Sequence, residues 1–284
     1  MIPILLEIPI PFLGITVPIY SFGVMVALAY LSANYFLSYG LRRRMIPQAE
    51  IHASNITLLA LLGGIGGAKL FHILENFNEF LSDPKGTLMS GAGLTFLGGF
   101  ILATTIIYIY IRIKKLDFFT IADASSLSLT AGYGIGRIGC QLSGDGDYGI
   151  PTDVPWAMSY SNGIVSTLSS RNADLVEQFK SIFPEKPIPE DILVHPAPIY
   201  ETMSMLIVFI ILWQLQKRFP QSGIVFGAYL IFAGIERLCV EFIRLNPLYF
   251  GLSQAQWISI LLIITGIFLA KSRYQKLMMV TGKS

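Results

Sequence analysis

The stretch GRIGCQLSGDGDYG, Gly136 to Gly149, stands where a long apolar segment ends and the longest polar stretch of the chain begins. It sets a cation (Arg137), a thiol (Cys140), two carboxylates (Asp145 and Asp147) and an aromatic hydroxyl (Tyr148) among the glycines at 136, 139, 144, 146 and 149. Glycine at that density lets the backbone turn sharply and come close to a ligand. A flexible turn between two membrane helices would carry the same glycines, so Arg137 decides. An arginine at the end of an apolar span is costly unless it snorkels, pairs or binds an anion.

Outward from that stretch the chain is apolar. Hydrophobic residues make up 53% of it and charged residues 13%, with a mean hydropathy of +0.61, far from the composition of soluble domains. The apolar residues come in blocks long enough to cross a bilayer, which takes about 20 residues each. Composition therefore predicts an all-α polytopic membrane protein, residues 1–284 forming a single integral membrane domain. The blocks run about Val17 to Leu41, Ile51 to Leu74, Gly91 to Ile113, Phe118 to Ile138, Ile199 to Leu215, Gly223 to Ile243 and Gln256 to Ala270. That makes about seven transmembrane helices. A glycine run in the second block, Gly63, Gly64, Gly66 and Gly67, suits close helix packing. Met1 to Thr16 has no basic start, carries Glu7 and is broken by prolines, so it is expected to be an interfacial arm rather than a cleaved signal. Cys140 and Cys239 lie in or beside apolar blocks, which does not fit a disulfide framework.

Charge gives the orientation. Arg42, Arg43 and Arg44 follow the first block, Lys114 and Lys115 the third, Lys217 and Arg218 the fifth, and Lys271, Arg273 and Lys276 the seventh, whereas the loops after the second and fourth are acidic. Under the positive-inside rule the N-terminus is outside and the C-terminus cytoplasmic. Residues 140–194 then form an outward-facing polar head loop between spans four and five.

The polar residues inside the apolar blocks are the candidate site. Arg237, Glu241 and Arg244 are spaced i, i+4, i+7 and share one helix face, with Glu236 beside them. A structural ion pair explains part of this, but at least one arginine is left over. Arg137 and Arg237 converge on the outer face, and two guanidinium groups there fit a phosphate. HPAPIYE, His195 to Glu201, supplies either an acid–base pair or a packing network. Asp123, Lys69 and His72 are ionisable groups that should have partners.

These motifs together resemble the prolipoprotein diacylglyceryl transferase family. The resemblance rests on Gly-Arg-x-Gly at Gly136 to Gly139 with Gly149, on HPAPIYE, and on RLCVEFIR at Arg237 to Arg244; Gly98-Gly99, Asp123 and Gln254 to Ser259 also fit. It covers nearly the whole chain and implies the same seven-span topology in the bacterial cytoplasmic (inner) membrane. The implied reaction moves the diacylglyceryl group of phosphatidylglycerol to the lipobox cysteine thiol of a prolipoprotein and releases glycerol phosphate. Arg137 and Arg237 would stabilise the leaving charge, with Glu241 orienting Arg237. Asp145, Asp147, His195 and Glu201 are the candidates to accept the thiol proton, and Gly98, Gly99, Gly149 and Cys140 would touch phosphatidylglycerol. No cofactor or metal is expected, nor any nucleic acid; the partners are lipid and signal peptides. The chain departs from the family pattern at Cys140 (usually asparagine), at Asp145-Gly-Asp147 (one acid in a shorter segment), at Phe22 (tyrosine) and at Leu97 (histidine or tyrosine). These departures leave room for a divergent paralogue. A transporter of an anionic solute would also use membrane arginines, but the odd span number and the missing inverted repeat argue against it. A hydrolase using Ser143 or Cys140 with His195 lacks a recognisable nucleophile turn.

Overall fold

The computed structural model describes residues 1–12, 14–89, 95–219, 223–244 and 248–281. It opens with an antiparallel hairpin of β1 (Ile4–Ile10) and β2 (Ile15–Tyr20), then α1 (Ser21–Arg43) and α2 (Ala49–Glu75). Two short helices follow, α3 (Phe77–Ser82) and α4 (Pro84–Met89), before α5 (Phe96–Ile113) and α6 (Phe118–Ser143). After α7 (Ala173–Ile182) come α8 (Ala197–Arg218), α9 (Ile224–Glu241), the two-residue strands β3 (Leu248–Tyr249) and β4 (Leu252–Ser253), and α10 (Gln254–Thr281). Each apolar block is a helix. Five of them (α1, α2, α5, α8 and α10) are long and apolar enough to cross a membrane. The chain is a multi-pass membrane protein, mostly α-helical. The two helices outside that set are the polar ones: α9 holds Glu236, Arg237 and Glu241, and α6 is rich in serine, threonine and glycine.

Two expectations change, and part of a third lies outside the described residues. The N-terminal arm folds as a β-hairpin whose second strand runs to Tyr20, so α1 starts at Ser21 instead of Val17. Its start is tied down by Ser21, whose amide and hydroxyl both donate to the Pro3 carbonyl. Second, α6 continues to Ser143, so Gly136, Gly139 and Cys140 are helical, and the head starts after them. Third, the start expected for the third span, Gly91, lies outside the described residues; α5 begins at Phe96.

By contacts the chain divides into two compact units, Asn34–Ala124 and the remainder. The first packs Leu37, Leu41, Ala53, Ile56, Ile111, Ile121 and Ala124 into one core. There α2 and α5 cross closely. A Cβ on Gly98 would lie 2.3 Å from the Phe71 side chain, and one on Gly67 would lie 2.4 Å from the Gly98 carbonyl oxygen, so only glycine fits. Asp123 has its expected partner: Arg44 Nη2 lies 3.9 Å away, and both side chains are buried. Arg44 therefore serves an ion pair as well as the basic cluster after α1.

The larger unit holds the hairpin, most of α6, the head, and α8 to α10. Its head is a small folded layer in its own right, with Tyr160, Leu175, Phe179, Ile192 and Val194 as core. Isolated bridges join Pro151 and Met158 to Val194, and Leu168 to Asp191. Asn172 caps α7 by accepting from the Leu175 amide.

Candidate active site

Helix periodicity places Tyr133, Arg137 and Cys140 on one side of α6, at i, i+4 and i+7. Glu201 sits one turn into α8, where Pro198 near the N-terminus fits a helix start. From α9 come Arg237 and Glu241, and the turn after it carries Arg244, whose amide donates to the Glu241 carbonyl. The glycine-bearing segment brings Asp147 back over this group.

The result is three arginines around two shared carboxylates. Glu201 is fully buried; its Oε2 lies 3.0 Å from Arg137 Nε and its Oε1 3.6 Å from Arg237 Nη1. Asp147 bridges Arg137 Nη1 and Arg244 Nη2 through its two oxygens. Glu241 is 3.0 Å from Arg237 Nη2 and accepts from Ser253 Oγ at 2.6 Å. The Tyr133 hydroxyl donates to Glu201 Oε1 at 2.9 Å while its ring lies 5.0 Å from the Arg137 guanidinium carbon. Arg237 Nη1 is sealed from water with no hydrogen-bond partner.

Burial alone would raise the Asp147 pKa, but Arg244 and Arg137 outweigh it and hold this carboxyl below the usual range. The sign follows: a depressed folded value makes the bridge fully present above the ordinary aspartate value of about 4, and it is lost as pH falls through the folded value.

Cys140 is buried on α6, with Sγ 3.9 Å from Arg137 Nη1 and 3.7 Å from Asp147 Oδ2. Asp145 stands beside it and accepts from the Asp147 amide at 3.3 Å. Cys140, Asp145 and Asp147 present ligand atoms within 4.8 Å of one another. Asp147, however, is already committed to two guanidinium groups, so the set suits a cation poorly. Beside Arg244 a polar cavity of about 270 Å³ opens, lined also by Gly146, Tyr148, Asn172 and Gln178.

His195, Gly149 and the pair Gly98-Gly99 make contacts of their own. His195 Nδ1 pairs with the Tyr200 hydroxyl at 3.2 Å, and that hydroxyl accepts from Trp156 Nε1 at 2.6 Å. Burial lowers the His195 pKa, favouring the neutral ring. Gly149 is the hinge of this corner: its amide donates to the His195 carbonyl, and a Cβ there would meet the Ile243 carbonyl oxygen at 2.8 Å. Gly98 and Gly99 belong to the 34–124 unit, where they pack on α2; Gly99 also lines an apolar cavity of about 440 Å³ with Gly64, Ala68, Phe96, Phe100 and Ala103.

Two partners were legible but unread. Tyr133 is four residues before Arg137, one helical turn away on the same face. Ser253 and Gln256 match a capping box before an apolar run. The Ser253 amide donates to Gln256 Oε1, the Gln256 amide reaches Ser253 Oγ, and the same hydroxyl holds Glu241.

Comparison with known proteins gives the family. The family model described as "Prolipoprotein diacylglyceryl transferase" matches residues 9–271. A phosphatidylglycerol–prolipoprotein diacylglyceryl transferase of Clostridium tetani is 31% identical over 253 residues, 88% of this chain and 91% of the relative. One from Leptospira interrogans is 27% identical over 327 residues, 92% and 94% of the two chains. Another, from Aeromonas hydrophila, is 31% identical over 78% of this chain and 74% of its own. With that match covering most of its length, the chain belongs to the prolipoprotein diacylglyceryl transferase family.

Proposed function

We propose that the chain transfers the diacylglyceryl group of phosphatidylglycerol to the lipobox cysteine thiol of a prolipoprotein. The observation that carries this is the convergence of Arg137, Arg237 and Arg244 around the shared carboxylates of Glu201 and Asp147, with Arg237 Nη1 ion-paired at 3.6 Å but making no hydrogen bond. The sulfur attacks the glyceryl carbon, the carbon–oxygen bond to phosphate breaks, and the electron pair leaves on glycerol phosphate. Preorganised guanidinium groups stabilise that developing charge. The nucleophile is the thiolate. Among the candidates to take its proton, Asp147 and Glu201 are held by arginines and His195 by Tyr200. Asp145, beside Cys140 and with no arginine partner among the described residues, fits best. The test is transfer from phosphatidylglycerol to a lipobox peptide by the purified protein, together with rescue of a bacterium depleted of its own transferase. Absence of both would end this reading.

The charge pattern supports seven spans in the bacterial cytoplasmic membrane, N-terminus outside, with the site toward the outer face. Ser169→Cys in the head should react with an impermeant thiol reagent on intact cells, and Lys115→Cys only after permeabilisation. The opposite pattern would reverse the orientation.

Cys140 occupies a position where its neighbours suit an amide. Asparagine there would donate to Asp147 and accept from Arg137, so Cys140→Asn should keep or raise the transfer rate, and Cys140→Ser should be tolerated. If the thiol were a covalent nucleophile, both variants would be dead and mass spectrometry would find a lipid adduct on Cys140.

A further inference from the structure

The transfer scheme divides the donor lipid in two. The diacylglyceryl half stays with the bilayer, and the headgroup half, a phosphate carrying a glycerol, leaves. The arginines answer the phosphate. The polar cavity of about 270 Å³ beside Arg244 is placed to answer the glycerol.

The cavity is joined to the arginine cluster through the backbone. Gly146 lines it, and the next residue, Asp147, bridges Arg137 and Arg244. Gly146 has φ +95°, and a Cβ there would lie 3.0 Å from Val165 Cγ2, so glycine lets the Asp147 segment lie directly on the head. Arg244 belongs to both places, since it pairs with Asp147 and lines the cavity.

The opposite lining comes from α7 and its cap. Asn172 is already occupied: its Nδ2 donates to the Tyr148 hydroxyl at 2.9 Å and its Oδ1 caps the helix. Asp174 and Gln178 are not. They stand at i and i+4 on one face of α7, and both line the cavity. Among the described residues neither side chain has a hydrogen bond or an ion pair.

Size and donor chemistry narrow the ligand. A water takes up about 30 Å³, so the space holds a few waters or one three-carbon polyol, and it falls just short of the pockets that take drug-sized ligands. The Asp174 carboxylate only accepts hydrogen bonds, whereas the Gln178 amide both accepts and donates. Two adjacent hydroxyls satisfy both side chains at once. An ammonium suits Asp174 alone, and a bare phosphate finds only Arg244.

We propose that this cavity takes the glycerol of the donor headgroup, with Arg244 toward the phosphate and Asp174 and Gln178 on the two hydroxyls. The head helix α7 is then the element that selects a phosphoglycerol donor. Released glycerol phosphate carries the same chemistry and occupies the cavity before it leaves. This rests on the transfer reading.

Two measurements separate the bound lipid from the released product. The first compares phosphatidylglycerol with phosphatidylmethanol, which has the same phosphodiester and no diol, as donors to a lipobox peptide. Wild type should favour phosphatidylglycerol by about tenfold or more in kcat/KM, the worth of one or two hydrogen bonds. The double variant Asp174→Leu, Gln178→Leu should bring that ratio to within about threefold of one, chiefly by raising KM for phosphatidylglycerol. If the double variant does not fold, Gln178→Leu alone should still lower the ratio severalfold. The second uses Val165→Cys, on the cavity wall, as a reporter that needs no turnover. Glycerol 1-phosphate should slow its labelling by a thiol reagent, inorganic phosphate should not, and the double variant should abolish the protection. A wild-type ratio near one, a ratio that the variants leave unmoved, absent protection, or equal protection by inorganic phosphate overturns the proposal. If wild type transfers no lipid but glycerol 1-phosphate protects the reporter and the double variant removes that protection, the site stands and the transferase reading fails.

Discussion

Arg137→Lys loses about a hundredfold of the transfer rate, or about 3 kcal/mol of transition-state stabilisation, while the protein still inserts and folds. The geometry says why lysine is no substitute. Arg137 turns Nε toward Glu201, gives Nη1 to Asp147, and lays its flat guanidinium against the Tyr133 ring. An ammonium is a point charge on a flexible stem and cannot make a fork and a stacked face together. It would neutralise one carboxylate, release the other, and leave the phosphate without a paired donor. Arg237→Lys should behave similarly, because Arg237 is held between Glu201 and Glu241. Arg244→Lys should be milder, since its side-chain ion pair among the described residues is with Asp147, which Arg137 also holds. The measurement is diacylglyceryl transfer to a lipobox peptide with phosphatidylglycerol as donor. A rate near wild type for Arg137→Lys would reduce this arginine to an anchor at the membrane edge and remove the central assignment.

Much of the fold is legible because the bilayer forces it to be: a helical block must be long and apolar, and the seven blocks all appear as helices. The hairpin was hidden by its own prolines. Pro9 and Pro18 argue against a strand, yet in a two-stranded ribbon every strand is an edge, and edges tolerate a missing amide. The reach of α6 was hidden for a related reason: Gly136 and Gly139 read as a turn, but a helix packed closely on its neighbours can hold them, and a Cβ on Gly139 would sit 3.0 Å from Met25 Cβ. Which acid serves which arginine was not readable, because Asp147 meets Arg244 across 97 positions of sequence. Spacing placed Glu241 under Arg237; it said nothing of Glu201 reaching both Arg137 and Arg237, which depends on how α6, α8 and α9 meet.

Glu201 has the other large expected effect, on stability as well as rate. It is fully buried, its charge is shared by Arg137 and Arg237, and it accepts the Tyr133 hydroxyl. Glu201→Gln keeps the size and still accepts from Tyr133, so no cavity forms and that hydrogen bond survives. What it removes is the counter-charge, leaving a buried guanidinium partly unmatched at a cost of about 3 kcal/mol. The thermal midpoint in detergent should fall clearly, and transfer should drop at least about a hundredfold because each arginine then keeps only one of its two carboxylates, Asp147 for Arg137 and Glu241 for Arg237. Glu241→Gln is the internal comparison. Ser253 still holds the side chain there, and Arg237 keeps Glu201, so both losses should be smaller. A Glu201→Gln protein with wild-type melting and wild-type transfer would mean that the two arginines are positioned by their own helices, and that the buried carboxylate does not organise the site.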